Sequence, residues 1–317
     1  MAELQAQQQI AFLFPGQGSQ YSGMGKSVHD AFQEAREVFE QAGAGLPISI
    51  TELCFEASDE RLRRTENTQP AILTVSVALH RILEARGLAP KWVAGHSLGE
   101  YSALVSAGVL DVATAARLVH NRGIYMQQAV PEGAGAMAAV LGLDRAEIDD
   151  LCARCGGDWI VEVANVNAPG QVVVAGNTEA VNQLIAMSKE AGARRAILLN
   201  VSAPFHCSLM QPAAERLERD FAEVEFADPR IPVVCNVTAT KITKGEAARV
   251  ALERQVTQPV LWSETLEFLC AQGVEVFVEV GPGRVLSGLV KRTLGKGVGI
   301  YAVDEIEEID AVLAALG

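Results

Sequence analysis

The run GHSLG at positions 95–99 places Ser97 between two glycines. A short apolar run leads into it and a helix-forming run follows, which is the strand-turn-helix setting of a nucleophile elbow. Such a turn needs glycine because the surrounding backbone leaves no room for a Cβ atom. The pattern predicts that Ser97 is a nucleophile and that the backbone amide of Leu98, at a helix N-terminus, can donate to an oxyanion. An idle serine in a glycine-rich turn is the alternative.

A serine hydroxyl is a weak nucleophile without a base, and histidine is the usual base. The chain has five histidines: His29, His80, His96, His120 and His206. The first two fall in helical patterns, and the third adjoins the serine at a turn that directs neighbouring side chains apart. The fourth lies in mid-helix on the predicted polar side. His206 lies in VSAPFHCSLM, a loop before a helix, and such loops carry catalytic groups. Elimination therefore predicts His206 as the base, with a capping or surface histidine as the alternative.

Arg122 is the candidate for binding an anion. The residues three and four positions from it on both sides are Leu118, Val119, Tyr125 and Met126, which places it on an apolar helix face. An arginine on such a face points inward and needs an anion, and its forked guanidinium suits a carboxylate. Arg117 shares its helix face with polar residues and is predicted to meet solvent. A snorkelling Arg122 paired with an internal carboxylate is the alternative.

These residues require a scaffold, and the alternation of short apolar runs with amphipathic helical patterns predicts an α/β fold with a central, mostly parallel sheet. Core strands are predicted at 10–16, 91–95, 231–237 and 274–283, and helices at 69–87, from 99 to about 106, and after the N-cap Asp111.

The segment 133–200 has a different pattern. Strands are predicted at 137–143, 159–166, 172–175 and 196–201, with helices at 145–154 and 179–191 and a turn at 167–170. This β-α-β-β-α-β order is ferredoxin-like. We therefore predict an inserted ferredoxin-like subdomain at 133–200 in a large domain formed by 1–132 and 201–317.

Composition excludes several classes of partner. The 317 residues are 49% apolar and 21% charged, as in a globular protein, and the net charge of -13 argues against binding nucleic acid or an anionic membrane. The N-terminus shows no signal-peptide pattern and no apolar run is long enough to span a membrane. Six cysteines without such a signal indicate reduced thiols and a cytoplasmic protein. Cys152 and Cys155 form a CxxC that we interpret as structural, since a zinc site would need two more suitably spaced ligands.

The order of the groups bears on the chemistry. In α/β-hydrolases the serine is followed by an acid and then by a histidine near the C-terminus. Here no histidine follows His206, although the chain continues to Gly317. A plain esterase or lipase is therefore disfavoured.

Eight sequence blocks indicate a family. They are FLFPGQGSQYSGMG (12–25), TQPAILTVSVAL (68–79), GHSLGEYSAL (95–104), RGIYMQ (122–127), VNAPGQVVVAG (166–176), PFHCSLM (204–210), VTQPVLW (256–262) and EVGPGRVLSGLVKR (279–292). In this order, over nearly the whole chain, they resemble the malonyl-CoA:acyl carrier protein transacylase family of bacterial fatty-acid synthesis. The resemblance implies a hydrolase-like α/β domain with a ferredoxin-like insert, in agreement with the pattern above.

The resemblance also implies roles for individual residues. Ser97 attacks the thioester, and His206 takes and returns the proton. A backbone carbonyl, which falls on Gln255, orients the histidine in place of a carboxylate. The oxyanion hole consists of the backbone amides of Gln17 and Leu98.

For the acyl group, the resemblance implies that Arg122 binds the malonyl carboxylate and that Phe205 crowds the α-carbon and disfavours branched acyl groups. The implied partners are malonyl-CoA and holo-acyl carrier protein. No metal or other cofactor is implied, and nothing in the sequence requires more than a monomer. An acidic carrier would need a basic docking patch, and the candidates are Lys189 with Arg194 and Arg195, or Lys291 with Arg292, although either set could simply be solvated.

Three alternatives remain open from the sequence. A serine hydrolase or thioesterase would share Ser97 and release free acid. A non-catalytic module that binds acyl carriers would have a dead site, which the presence of Ser97, His206 and Arg122 disfavours. An acyltransferase that serves a polyketide pathway would differ in its carrier or acyl group.

Overall fold

The computed structural model describes residues 9–155, 157 and 159–317, so the N-terminal residues, in which no signal peptide is predicted, lie almost entirely outside the described part. The chain has a mixed α/β fold with two sheets. The strands of the first sheet are β1 (Ile10–Phe14), β2 (Trp92–Gly95), β7 (Val233–Val234), β8 (Lys241–Ile242), β10 (Val276–Val280) and β11 (Gly299–Val303). Their order is β11-β10-β1-β2-β7-β8, parallel throughout except for the antiparallel β7–β8 pair.

The second sheet is largely antiparallel. Its strands are β3 (Gly135–Leu141), β4 (Val161–Ala168), β5 (Gln171–Asn177), β6 (Arg195–Leu198) and β9 (Val260–Leu261), in the order β6-β3-β5-β4-β9. The parallel β4–β9 pair adds a strand from beyond residue 200, which the sequence pattern did not predict in this sheet.

Fourteen α-helices pack around the sheets in the described part of the chain. They are α1 (Lys26–Ala31), α2 (Gln33–Ala44), α3 (Ile50–Phe55), α4 (Asp59–Arg63), α5 (Thr65–Ala85), α6 (Gly99–Ser106), α7 (Val112–Gln128), α8 (Arg145–Arg154), α9 (Thr178–Glu190), α10 (Gln211–Ala222), α11 (Gly245–Gln255), α12 (Trp262–Ala271), α13 (Val285–Leu294) and α14 (Ile306–Leu316). Asp111 caps α7 as predicted, since its side chain accepts a hydrogen bond from the backbone of Thr114. None of these helices combines the length and apolar character needed to cross a bilayer.

Each of the four predicted core strands contains an observed strand, but β10 covers only half of the predicted 274–283 and the strand within 231–237 is only two residues long. Only Val233 and Val234 pair with β2, because the chain turns back immediately afterwards. The backbone amide of Cys235 donates to Thr240 O, and Ala239, with φ 51°, donates to Cys235 O. These bonds form a tight turn into β8, so an apolar run that resembled a longer strand ends after two residues.

The prediction that His120 lies on a polar helix face is wrong, because His120 is buried against α5. Pro70 lies inside α5 and has no N–H to donate to the carbonyl of Glu66, four residues earlier. His120 Nδ1 lies 2.9 Å from that carbonyl oxygen and supplies the missing donor. Arg117, on the same helix, is exposed as predicted.

The first sheet brings two chain segments together. Every residue of β1 is buried, as expected for a central parallel strand that helices cover on both faces. The carboxyl ends of β1 and β2 are adjacent, since Phe14 pairs with Gly95. The loops that follow these strands, which contain Gln17 and Ser97, therefore lie at the same edge of the sheet, where α/β proteins place their ligands.

Candidate active site

Ser97 occupies a strained turn between β2 and α6. Its φ is 52°, in the left-handed region that a residue with a side chain rarely adopts. The flanking glycines allow the turn to close, since a Cβ atom on Gly95 would lie 1.9 Å from the carbonyl oxygen of Gly99. A Cβ atom on Gly99 would lie 2.0 Å from Phe14 O. This approach brings the start of α6, with Leu98, beside the loop of Gln17.

Asn236 holds the turn from the other side. Its Oδ1 accepts a 2.7 Å hydrogen bond from the backbone amide of Ser97, and its Nδ2 donates at 2.7 Å to the carbonyl of Gly95. The side chain thus replaces backbone partners at both ends of the turn. Surrounding contacts of this kind are what maintain a strained backbone conformation.

Ser97 and His206 are in direct contact. The distance from Ser97 Oγ to His206 Nε2 is 2.7 Å, and the distance from His206 Nδ1 to the backbone oxygen of Gln255 is also 2.7 Å. A carbonyl oxygen can only accept, so Nδ1 carries the proton and Nε2 offers its lone pair to the serine hydroxyl. His206 also has a positive φ of 60°, so the turn presents its ring towards the serine.

Burial keeps His206 neutral. Burial first, and then the positive charge of Arg122, lower the pKa of His206 to about 3, although the hydrogen bond to the backbone of Gln255 acts in the opposite direction. A neutral imidazole at the pH of the cell is the form that can accept a proton.

Arg122 lies beside the serine with its side chain only 2% exposed. Its guanidinium donates to Gln69 Oε1 at 2.7 Å, to Gln255 Oε1 at 3.0 Å and to Ser97 Oγ at 3.1 Å, and all three acceptors are neutral. Its Nε has no hydrogen-bond partner among the described residues. A buried guanidinium whose direct hydrogen-bond acceptors are all neutral can bind an anion, because an uncompensated buried charge is costly.

A cavity of about 230 Å³ lies between the two sheets. The predicted site residues that line it are Gln17, Ser97, Leu98, Arg122, Phe205 and His206, and Gln255 contacts His206 and Arg122 from behind. Apolar walls come from Met126, Met137 and α13. Gln17 is held in place because its Oε1 accepts a 2.6 Å hydrogen bond from Thr65.

Several polar groups around the site were not predicted from the sequence. Gln69 and Glu100 are buried polar residues in helices that are buried over most of their length, a signal that could have marked them. Asn236 carried no such signal. His96, which was set aside as a base, lines the cavity and forms a 2.8 Å contact between its Nε2 and Asn167 Oδ1.

The other singled-out residues lie away from the reacting centre. Both sets of basic residues are exposed, and Arg292 hydrogen-bonds Gln171 at the cavity wall, whereas Lys189, Arg194 and Arg195 do not line the cavity. The two cysteines of the CxxC are free thiols at the end of α8. In the described part of the chain, no cluster of three or more His, Cys, Asp or Glu side chains could hold a metal ion.

Comparison with known proteins identifies the class to which this fold and site belong. Residues 11–312 match the acyl transferase domain model, so the chain belongs to the acyl transferase family. The malonyl CoA-acyl carrier protein transacylase of Escherichia coli K12 is 48% identical over 309 residues, which cover 97% of this chain and 99% of the relative. That of Bacillus subtilis strain 168 is 42% identical, with 97% of both chains covered.

Solved structures agree with these sequence relatives. The malonyl CoA-acyl carrier protein transacylase of Coxiella burnetii superimposes with a TM-score of 0.95 at 42% identity, covering 98% of both chains. A malonyl-transacylase in complex with its type II polyketide synthase acyl-carrier protein superimposes with a TM-score of 0.94 at 45% identity, covering 97% of this chain and 99% of that one.

Proposed function

We propose that this protein transfers the malonyl group of malonyl-CoA to the phosphopantetheine thiol of holo-acyl carrier protein, through a malonyl-serine intermediate, in fatty-acid biosynthesis. The observation that carries the proposal is the buried guanidinium of Arg122, 3.1 Å from Ser97 Oγ. An acyl group held at this serine would place a terminal carboxylate near that cation. The names of the relatives support the same substrate and acceptor.

In the first half-reaction, Ser97 Oγ attacks the thioester carbonyl carbon while its proton passes to His206 Nε2. The carbonyl oxygen becomes an oxyanion, which the backbone amides of Gln17 and Leu98 stabilise. Collapse of this intermediate breaks the C–S bond, and His206 returns the proton to the departing thiolate of CoA. The Gln255 carbonyl keeps the imidazole in the required tautomer throughout.

In the second half-reaction, the carrier's thiol gives its proton to His206 and attacks the malonyl-serine. Binding of the malonyl carboxylate to Arg122 holds the acyl group in position for this attack. Phe205, on the cavity wall, narrows the space beside the α-carbon and disfavours branched acyl groups. The mechanism requires no metal or redox cofactor, because His206 accepts and returns the proton and the two amides stabilise the negative charge of the oxyanion.

Two sources of carrier are compatible with this site. The chain is similar both to relatives named malonyl CoA-acyl carrier protein transacylase and to a malonyl-transacylase bound to a polyketide synthase carrier. We infer the fatty-acid carrier as the acceptor. Lys291 and Arg292 are the better of the two predicted docking sets, since Arg292 contacts Gln171, which lines the cavity.

For the architecture, we infer a hydrolase-like large domain (1–132 and 201–317) with a ferredoxin-like insert (133–200). The order β6-β3-β5-β4 supports the insert, because numbering these strands by sequence gives 4-1-3-2, with helices α8 and α9 after the first and third strands. The pairing of β9 with β4 then joins the insert's sheet to the large domain.

The test of this function is the intact mass of the protein after brief exposure to malonyl-CoA without a carrier. The expected result is a malonyl adduct that disappears on addition of holo-acyl carrier protein, with malonyl-carrier as the product. Free malonate in place of malonyl-carrier would mean that water is the acceptor, and would favour the serine hydrolase. Apo-carrier, which lacks the thiol, is the matched control and should leave the adduct intact.

The low pKa of His206 predicts that acyl transfer persists well into acid. A base must be neutral to accept a proton, and burial with the charge of Arg122 lowers the pKa of His206 to about 3. We expect the acid limb of kcat/KM for malonyl-CoA to lie below about pH 5, since this parameter reports groups of the free enzyme. The measurement is repeated in Glu100→Gln, because burial raises the pKa of Glu100 to about 7 and its titration could add a second limb.

The sign of this shift also bears on stability. The folded-state pKa of His206 lies below the ordinary value of about 6.5, so the unfolded chain binds a proton that the folded chain does not. Stability therefore falls as the pH drops from about 6.5 towards the folded-state pKa.

For the rate measurement, an acid limb of kcat/KM that stays near pH 6.5 in Glu100→Gln would contradict the assignment of His206 as a base with a lowered pKa.

A further inference from the structure

Glu100 is a buried carboxyl beneath the reacting serine that the mechanism does not use. It lies in α6, three residues after Ser97, and is 1% exposed. Its Oε2 accepts hydrogen bonds from Gln255 Nε2 at 2.7 Å and from the backbone amide of Asn236 at 3.2 Å. Its side chain does not line the cavity, and Oε1 has no hydrogen-bond partner among the described residues.

The side-chain amide of Gln255 connects Glu100 to the anion site. Its Nε2 donates to Glu100 and, at 3.0 Å, to the backbone oxygen of Ser97, while its Oε1 accepts from Arg122 at 3.0 Å. An amide has one end that donates and one end that accepts, so the partner at one end decides what the other end presents. Because Glu100 and the backbone oxygen of Ser97 accept the amide N–H groups, the amide oxygen of Gln255 faces the guanidinium.

Loss of the acceptor at Glu100 would weaken this constraint, because only the backbone oxygen of Ser97, at 3.0 Å, would still accept from Gln255 Nε2 at close range. The amide of Gln255 could then rotate by half a turn and present N–H groups to Arg122, so that two donors would face each other. The guanidinium would lose one of its three hydrogen bonds and could move away from Ser97. A buried donor left without a partner is unfavourable, which favours displacement of the guanidinium from this position.

We infer that Glu100 is a positioning residue for the carboxylate-binding site: by fixing the amide of Gln255, it holds Arg122 where the malonyl carboxylate must bind. This inference rests on the proposed function and adds to it a determinant of acyl-group selectivity outside the cavity. The part that matters is the acceptor oxygen. Glutamine at position 100 keeps an oxygen that can accept from Gln255, whereas alanine does not.

The experiment compares wild type, Glu100→Ala, Glu100→Gln and Leu53→Ala by the ratio of kcat/KM for malonyl-CoA to kcat/KM for acetyl-CoA. Leu53 is a buried residue of α3, and no residue of α3 lines the cavity, so its substitution is expected to lower stability while leaving the lining of the site in place. We expect Glu100→Ala to lower the ratio about tenfold. Glu100→Gln should stay close to wild type, and Leu53→Ala should lower the melting temperature with no change in the ratio.

Gln255→Leu provides a second route, because it removes the side-chain amide but keeps the backbone carbonyl that orients His206. It should lower the ratio by a similar factor, and Glu100→Ala should lower it no further in that background. This variant tests the inference even if Glu100→Ala does not fold.

The inference would be overturned by an unchanged ratio in Glu100→Ala or in Gln255→Leu, or by additive losses in the double variant. It would also be overturned if the ratio fell equally in Leu53→Ala, or if it fell as far in Glu100→Gln as in Glu100→Ala. In each of these cases wild type still loads malonyl, so the proposed function stands. A wild-type protein that loads no malonyl group would overturn the proposed function and this inference together.

Discussion

Ser97→Ala is expected to remove the malonyl adduct completely and to lower malonyl transfer by roughly 10⁴-fold or more. In the proposed mechanism Ser97 Oγ bonds to the acyl carbon, and the hydroxyl is positioned by the strained turn, by Asn236 and by its 2.7 Å contact with His206. Alanine leaves the turn and the amides in place but provides no atom to form the intermediate. Intact mass and steady-state transfer to holo-acyl carrier protein measure the two effects.

Ser102→Ala is the matched control for this change. Ser102 lies in the same helix, α6, and is also buried, but its hydroxyl has no hydrogen-bond partner in the described part of the chain. Loss of that hydroxyl should leave both the adduct and the rate of transfer near wild type. A malonyl adduct that persists in Ser97→Ala would mean that another nucleophile carries the acyl group and would refute the assignment.

Arg122→Ala is expected to cause the second largest effect, a loss of preference for malonyl-CoA over acetyl-CoA. Breaking a desolvated charge pair costs about 2–5 kcal/mol, which corresponds to a fall of roughly 30- to 4,000-fold in the ratio of the two kcat/KM values. Acetyl has no carboxylate, so it loses little when the guanidinium is removed. The ratio is the quantity to measure, because Arg122 also donates to Ser97 Oγ and its loss affects the rate with both substrates.

Arg117→Ala provides the control on the same helix, since Arg117 is exposed and its substitution removes an equal charge from the protein. It should leave the ratio unchanged. An unchanged ratio in Arg122→Ala would instead show that its guanidinium serves the fold, through Gln69 and Gln255, and that another group recognises the carboxylate.

Local pattern was enough to locate two of the central groups. The elbow around Ser97 could be recognised because a strand, a tight turn and a helix follow one another within a few residues, and glycines are needed where the backbones touch. The burial of Arg122 could be predicted because residues three and four apart share a helix face. The start of α7 at Asp111 could likewise be predicted from local sequence, because the Asp111 side chain accepts a hydrogen bond from a backbone amide three residues away.

His206 was only the best of five candidates before the resemblance was considered, and Gln255 was suggested by that resemblance alone. Their partnership joins residues 49 positions apart, and the contact between Ser97 and His206 joins residues 109 apart. Local sequence periodicity does not predict contacts between residues so far apart in the chain, because these contacts depend on how the helices and loops around the sheet edges pack. The roles of Glu100 and Asn236 became visible for the same reason, once their partners were known.

The wrong prediction for His120 has the same physical origin. Its helix pattern suggested a polar face, but His120 packs against another helix, where it contacts a backbone carbonyl that Pro70 leaves without an N–H donor. The sequence by itself therefore determined the mixed α/β class, the strand-turn-helix around Ser97 and the inward-facing arginine, all of which depend on near neighbours in the chain. Only the tertiary structure decided which histidine faces the serine, which strand extends the second sheet and which buried amide orients the arginine, because these contacts form between segments that only folding brings together.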